Sequence, residues 1–151
     1  MNKATDPATI LASTLAQSLG SECLLDDATK TLYRTDVYSG SVAPALVVRP
    51  NTREQVAEAV RISTAAGWAI TQRGGGMSYT GGYLANHSDT VMLDLSALNR
   101  IISIDEEDLV ITVEAGVTWQ QIWTALSPLG LRLPFFGTFS GSRATVGGGL
   151  A

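Results

Sequence analysis

Residues 45–82 read ALVVRPNTREQVAEAVRISTAAGWAITQRGGGMSYTGG. ALVV (45–48) is a short, fully apolar run, which suits a strand buried on both faces. Asn51 or Thr52 then caps a helix, with Glu54 or Gln55 three positions on, giving a capping box in either register. Val56, Ala59, Val60 and Ala66 are placed to face a sheet, and Gly67 ends the helix. WAITQ (68–72) is the next strand. Strand, helix and strand over this span make a βαβ unit, which predicts two parallel strands. RGGGMSYTGG (73–82) follows the second strand directly. Glycine loses more backbone entropy on folding than any other residue, so a cluster of them is costly unless the main chain must come close to something.

Upstream, Asp6-Pro7 opens a helix, with Asp6 as cap and Pro7 at the first helical position. Ile10, Leu11, Leu15 and Leu19 form its apolar stripe, and Gly20 stops it. ECLL (22–25) and KTLY (30–33) read as short strands around a turn at Asp26-Asp27, and residues 33–44 as a polar loop. Downstream, TVMLDL (90–95) and RIISID (100–105) read as strands. LVITVEAG (109–116) alternates and pairs with its predecessor across the acidic turn DEED (105–108), as in a hairpin. TWQQIWTALSPLG (118–130) is a helix. Thr118 and Gln121 form its capping box, and Trp119, Ile122, Trp123 and Leu126 its apolar face. A second small-residue stretch, GTFSGSRATVGGGLA, closes the chain at 137–151.

Ten of the fifteen glycines lie in two clusters, five in 73–82 and five in 137–149. Two clusters of this kind suggest one ligand gripped from two sides. Successive backbone N–H groups form a concave nest for an anion, phosphate above all. Gly74, Gly75 and Gly76 are candidate donors, Ser78 and Thr80 add hydroxyls, and Arg73 offsets charge or braces the loop. Thr145 and Gly147, Gly148 and Gly149 repeat that chemistry. The competing reading, that these glycines only make tight turns, is weakened by there being two clusters tied to alternating strands and helices. The chain ends inside the second cluster, which predicts that it is truncated.

Composition narrows the class. The chain has 151 residues, 45% hydrophobic and 16% charged, with a net charge of −4. That is globular, and no basic stripe offers a nucleic-acid surface. No apolar run approaches the roughly 20 residues of a membrane span. The N-terminus lacks the continuous apolar core of a signal peptide, so a cytoplasmic protein is expected. Asn86-His87-Ser88 is formally a glycosylation sequon and is read as a polar turn. Cys23 is the single cysteine, which excludes an intrachain disulfide or a cysteine metal cluster. No metal site is expected. Inert packing outweighs reactivity for Cys23, and a solvated turn outweighs general-base chemistry for His87. Trp119 and Trp123 read as core, and the acidic turn as a solvated hairpin tip. The P-loop, the G-x-G-x-x-G fingerprint, H-E-x-x-H, C-x-x-C and G-x-S-x-G are all absent.

From Pro44 to Ala151 the chain resembles the first part of the FAD-binding domain of the FAD-linked oxidases, of the vanillyl-alcohol-oxidase or p-cresol-methylhydroxylase type. The matching pieces occur in order. PALVVRPNTREQVAEAVRIS is similar to the family's opening strand and helix, and AITQRGGGMSYTGG to its pyrophosphate loop. VMLDLSALNRIISID and VITVEAGVTWQQIWTALSPLGLRLP are similar to its middle, and ATVGGGLA to its second FAD loop. Each piece alone is weak, and the ordered set is specific. The pattern R-G-x-G-x-S-x-x-G-G is most similar to the D-lactate and glycolate dehydrogenase branch.

The resemblance implies a mixed α+β fold, with the first subdomain and the start of the second. It implies a lead-in segment at 1–43 and an incomplete FAD-binding part at 44–151. It further implies bound FAD, with the pyrophosphate near Gly74–Ser78, Gly81 and Gly82 in the same loop, and Thr145 and Gly147–Gly149 near the pyrophosphate and ribityl chain. Glu114, Ala115 and Gly116 would lie close to the flavin. Asp94, Leu95 and Ser96 match the family pattern without an assigned role. Members with a covalent flavin tether in this loop carry histidine where this chain has Met77, and a thioether cannot replace it, so non-covalent FAD is expected. The implied reaction is hydride transfer from a small 2-hydroxy acid, with electron acceptor and oligomeric state open. Its catalytic residues would lie in later sequence, so none is named and the chain alone is expected to be inactive. Other readings remain: a sugar or alditol oxidase, an enolpyruvyl-sugar reductase, or a non-catalytic flavin-binding or assembly subunit.

Overall fold

In the computed structural model, residues 6–138 and 141–151 are described. Residues 1–5 of the lead-in segment, and Phe139 and Ser140 in the second small-residue stretch, lie outside them. The chain forms two compact units, one of residues 1–72 and 78–94, the other of residues 73–77 and 95–151.

In the first unit, α1 (Pro7–Leu19) starts at a proline and ends at Gly20, as expected. It buries Leu11, Leu15 and Leu19, one face at a spacing of four, and leaves Ile10 exposed. ECLL and KTLY are not strands. Ser21–Cys23 is a 3₁₀ turn and α2 spans Asp27–Leu32. The Asp26 side chain accepts from the Thr29 amide at 2.7 Å, so the acidic pair caps a helix rather than turning a hairpin.

β1 (Leu46–Val48) is buried at all three positions, as a fully apolar run should be. α3 (Arg53–Ala65) is capped by Thr52, which accepts from the Gln55 amide. The Gln55 amide oxygen reaches back to the Asn51 N–H at 2.7 Å, one residue beyond the cap. Ala59, Ile62 and Ser63 are the buried face of α3, while Val60 and Ala66 face solvent. β2 (Ala69–Arg73) and β3 (Thr90–Asp94) complete a sheet in the order β1-β3-β2. β3 therefore lies between β1 and β2, and it pairs in parallel with β1 through Leu46–Val91, Val47–Met92 and Val48–Leu93. β3 is buried along its whole length, which suits the central place. Tyr33, Val47, Tyr83 and Met92 form a core cluster on this sheet.

α1 and α3 are clamped at their polar edges. Ser18 Oγ donates to Glu58 Oε1 at 2.9 Å, and Gln55 Nε2 donates to the Leu19 carbonyl at 3.0 Å. The Arg61 guanidinium, then the Ser18 hydroxyl, hold the Glu58 carboxyl down from 4.5 to about 2. A depressed folded pKa gives stability that is present above the unfolded pKa and is lost as pH falls through the folded one. The urea midpoints of wild type and Glu58→Gln are therefore expected to differ at about pH 6 and to converge as the pH falls from about 4.5 towards 2. A gap independent of pH over that window would contradict the clamp.

In the second unit, β4 (Ile101–Asp105) and β5 (Val110–Val113) form the expected antiparallel hairpin. α4 (Trp119–Leu126) has the full capping box of Thr118 and Gln121. Val117, Trp119, Ile122 and Leu126 pack with Ile104, Ile111 and Val113 of the hairpin. Trp123 is 52% exposed and is not core. The buried stripe runs 119, 122, 126, and position 123 falls on its outer edge. α5 (Val146–Leu150) follows Thr145.

Candidate functional site

β2 ends at Arg73, and the chain leaves it through three glycines. Gly76 has φ +71°, a left-handed conformation that side chains disfavour. The Arg73 guanidinium lies over the Gly76 Cα, where a Cβ would stand, so Arg73 braces the loop. Gly74 and Gly75 meet the second small-residue stretch directly. A side chain on Gly74 would strike Thr145 Oγ1, and one on Gly75 would overlap the Arg143 carbonyl. The second unit thus brings together two stretches some seventy positions apart, as their shared composition suggests. What Gly74 and Gly75 first permit is the approach of chain to chain. Among the described residues, the amides of Gly75 and Met77 donate to no other group of the chain. Amides flanking a left-handed residue are the donor set of an anion nest.

The second stretch differs from its expected chemistry. Thr145 is buried and caps α5, accepting from the Gly148 amide at 3.3 Å. Gly147 N–H donates to the Ala115 carbonyl at 2.8 Å and Gly149 N–H to the Thr145 carbonyl at 3.0 Å. The three glycine amides expected to face an anion are thus engaged within the chain, and this stretch offers a ligand bare main chain instead. Three of its glycines lie against one tryptophan, Gly137 and Gly149 at the indole and Gly141 at the Cβ. Cβ atoms on Gly137, Gly141 and Gly149 would each press on Trp119, and Phe135 meets that ring edge-on at 5.0 Å.

Ser78, Thr80, Gly81 and Gly82 belong to the first unit. Ser78 Oγ accepts from the Thr80 amide at 3.2 Å and the Gly82 amide at 3.4 Å, so it organises its own turn. Gly81, at φ +70°, donates its N–H to Asp36 Oδ2 at 2.8 Å.

Glu114 and Gly116 lie at the base of the hairpin. Glu114 is buried and accepts from the Arg100 amide at 2.8 Å and from the Arg100 guanidinium at 2.6 and 3.0 Å. A Cβ on Gly116 would collide with the Leu95 and Leu98 carbonyls. Both residues are thus engaged in bringing 95–100 against 114–116.

Asp94 acquires a role that the sequence did not reveal. It is 1% exposed and accepts from Tyr33 Oη at 2.5 Å and from Arg49 Nε at 2.9 Å. Arg49 Nη2 closes the triangle by donating to Tyr33 Oη at 2.7 Å. Burial, then the Asp94 carboxylate, push the Tyr33 phenol up. Cys23 is fully buried, its thiol donates to the Leu19 carbonyl, and burial, then Glu22, push its pKa up, all of which fit an inert thiol. His87 is exposed. At the acidic tip, Asp105 accepts from the amides of Glu107 and Asp108. Among the described residues no group of acidic, histidine or cysteine side chains could hold a metal, and no helix is long and apolar enough to cross a membrane.

Comparison with known proteins supplies the context. The family described as FAD binding domain matches residues 44–151. Over 129 residues the chain is 33% identical to the mitochondrial D-lactate dehydrogenase [cytochrome] 1 of Saccharomyces cerevisiae, covering 84% of this chain and 22% of that protein. Over 108 residues it is 34% identical to reticuline oxidase of Eschscholzia californica, covering 70% of this chain and 19% of that protein. The chain thus spans about a fifth of the length of these relatives. Among solved structures, p-cresol methylhydroxylase with substrate bound superimposes with a TM-score of 0.79 at 23% identity, over 95% of this chain and 29% of that one.

Proposed function

Because the chain belongs to the family of FAD binding domains, we propose that it carries part of the FAD site of an oxidoreductase acting on a 2-hydroxy acid of the D-lactate or glycolate kind. The observation that carries the cofactor reading is the loop 73–77, where the amides of Gly75 and Met77, without partners among the described residues, flank the left-handed Gly76 straight after a strand. That donor set fits a pyrophosphate. The relatedness to a D-lactate dehydrogenase supports the substrate class.

When bound, FAD supplies the redox chemistry, taking hydride from a substrate C–H. The chain's own part is to hold and orient it. The main chain of Gly74, Gly75, Gly76 and Met77 receives the pyrophosphate, and Arg73 stiffens that loop. Thr145 and Gly147–Gly149 let the second stretch come close. Ala115 and Gly116, with Glu114 held by Arg100, shape the side towards the flavin. Ser78, Gly81 and Gly82 form the turn that carries the far end of the loop.

Met77 stands where covalent members of the family place histidine, so FAD is held without a covalent bond at this loop. Acid precipitation of the flavin-loaded full-length protein is expected to leave the yellow colour in the supernatant. Colour retained on a peptide containing Met77 would contradict this. A substrate panel with an artificial electron-accepting dye tests the rest: D-lactate or glycolate should bleach the dye, their electrons passing to it through the flavin. Bleaching by an alditol or an alkaloid alone would overturn the substrate class and leave the cofactor reading intact.

A further inference from the structure

The segment 34–42 precedes the span matched by the family, yet it grips the glycine loop. Asp36 sits at the centre of that grip. Its Oδ1 accepts from the amides of Tyr38 at 2.8 Å and Ser39 at 2.5 Å, and from Ser39 Oγ at 3.1 Å. Its Oδ2 accepts from the Gly81 amide at 2.8 Å. The next residue, Val37, donates its N–H to the Ser78 carbonyl at 3.2 Å. The polar strap is closed by Ser41, whose hydroxyl donates to the Ala85 carbonyl at 2.7 Å, and by Tyr83, whose hydroxyl donates to the Thr35 carbonyl at 3.0 Å. One carboxylate therefore joins its own turn with one oxygen and the far end of the glycine loop with the other. These bonds, that of Ser39 first, hold the Asp36 carboxyl below its ordinary range, so it accepts as a carboxylate.

We propose that Asp36 is a positioning residue of the cofactor loop: by anchoring Gly81, with Val37 anchoring Ser78, it holds the 78–82 end of the loop in the shape that binds FAD. The proposal rests on the cofactor reading given above. Asp36 touches no reacting atom and acts through the main chain it holds. An unanchored Gly81 is free to leave its left-handed turn, and the three residues between it and Met77 are too few to absorb that freedom. Ordering the loop would then fall to the binding step and weaken the affinity.

The test uses full-length protein stripped of flavin, then titrated with FAD and followed by flavin fluorescence. Asp36→Ala is expected to raise the FAD dissociation constant about tenfold, with the melting temperature of the flavin-free protein little changed. Asp36→Asn keeps one acceptor oxygen and should lie between Asp36→Ala and wild type. Hydrogen exchange provides a readout independent of binding, in which the Gly81 amide should exchange faster in both variants while β1 and β3 do not. An unchanged dissociation constant in Asp36→Ala overturns the proposal. So does a loss of binding that only follows a loss of flavin-free stability, with Asp36→Asn no better than Asp36→Ala. If Asp36→Ala fails to fold, Asp36→Asn decides by the same two criteria. If wild type itself takes up no FAD, the cofactor reading fails first, which the wild-type titration shows separately.

Discussion

Gly75→Ala is expected to destabilise the flavin-free protein by at least about 3 kcal/mol and to abolish flavin retention. The added methyl would overlap the Arg143 carbonyl and approach the Ala144 amide nitrogen at 3.4 Å. Both obstacles are main chain, and main chain cannot swing aside as the end of a side chain can. Either the 73–77 loop or the 143–145 segment must move, and each is tied to its neighbours. Thr118 and Thr145 share an isolated bridge, and the Val146 amide donates to the Val117 carbonyl at 2.8 Å. The contrast is Gly82→Ala, whose Cβ would meet nothing nearer than 3.7 Å. Urea unfolding of the two variants checks the difference. Equal stabilities would show that the two glycine stretches are not packed as described.

Asp94→Ala is expected to be the largest loss in the first unit, about 3 kcal/mol. The carboxylate is buried at the end of the central strand and joins β3 to Tyr33 and to Arg49 just beyond β1. Removing it takes away the acceptor that the Tyr33 hydroxyl and the Arg49 guanidinium share. Arg49 is 40% exposed and can turn towards water, which keeps the cost at the low end for a broken buried pair. A double-mutant cycle with Tyr33→Phe isolates the shared part, because the double variant should then lose less than the sum of the two single losses. Full additivity would mean that the hydroxyl and the carboxylate do not act together.

The parts legible in the sequence are those decided by near neighbours. Pro7 and Gly20 bound α1, Thr118 and Gln121 cap α4, and the alternation around the acidic turn marks the β4–β5 hairpin. The insertion of β3 between β1 and β2 was not legible. A run of apolar residues shows that a strand is buried, not which strand lies beside it. The Asp26-Asp27 pair was ambiguous because the residues that favour turns also cap helices, and the Thr29 amide decided for the helix. Trp123 shows the limit of a helical stripe, whose edge positions are buried or exposed according to the width of the facing surface. The glycine clusters marked two stretches that the fold brings together. They did not say that Gly75 approaches Arg143, nor that Gly137 and Gly149 approach an indole. Tyr33, Asp36 and Arg49 went unnoticed because their partners lie far along the chain and no local pattern points to them.

The pyrophosphate of FAD is proposed to rest on the loop 73–77. The most direct measurement is titration of the flavin-free full-length protein with FAD, with FMN and riboflavin alongside. Saturable binding of one FAD, with marked preference over FMN and riboflavin, is the predicted result, since only FAD carries the pyrophosphate that the amides of Gly75 and Met77 would meet. Failure to take up FAD, or equal affinity for riboflavin, would contradict the account.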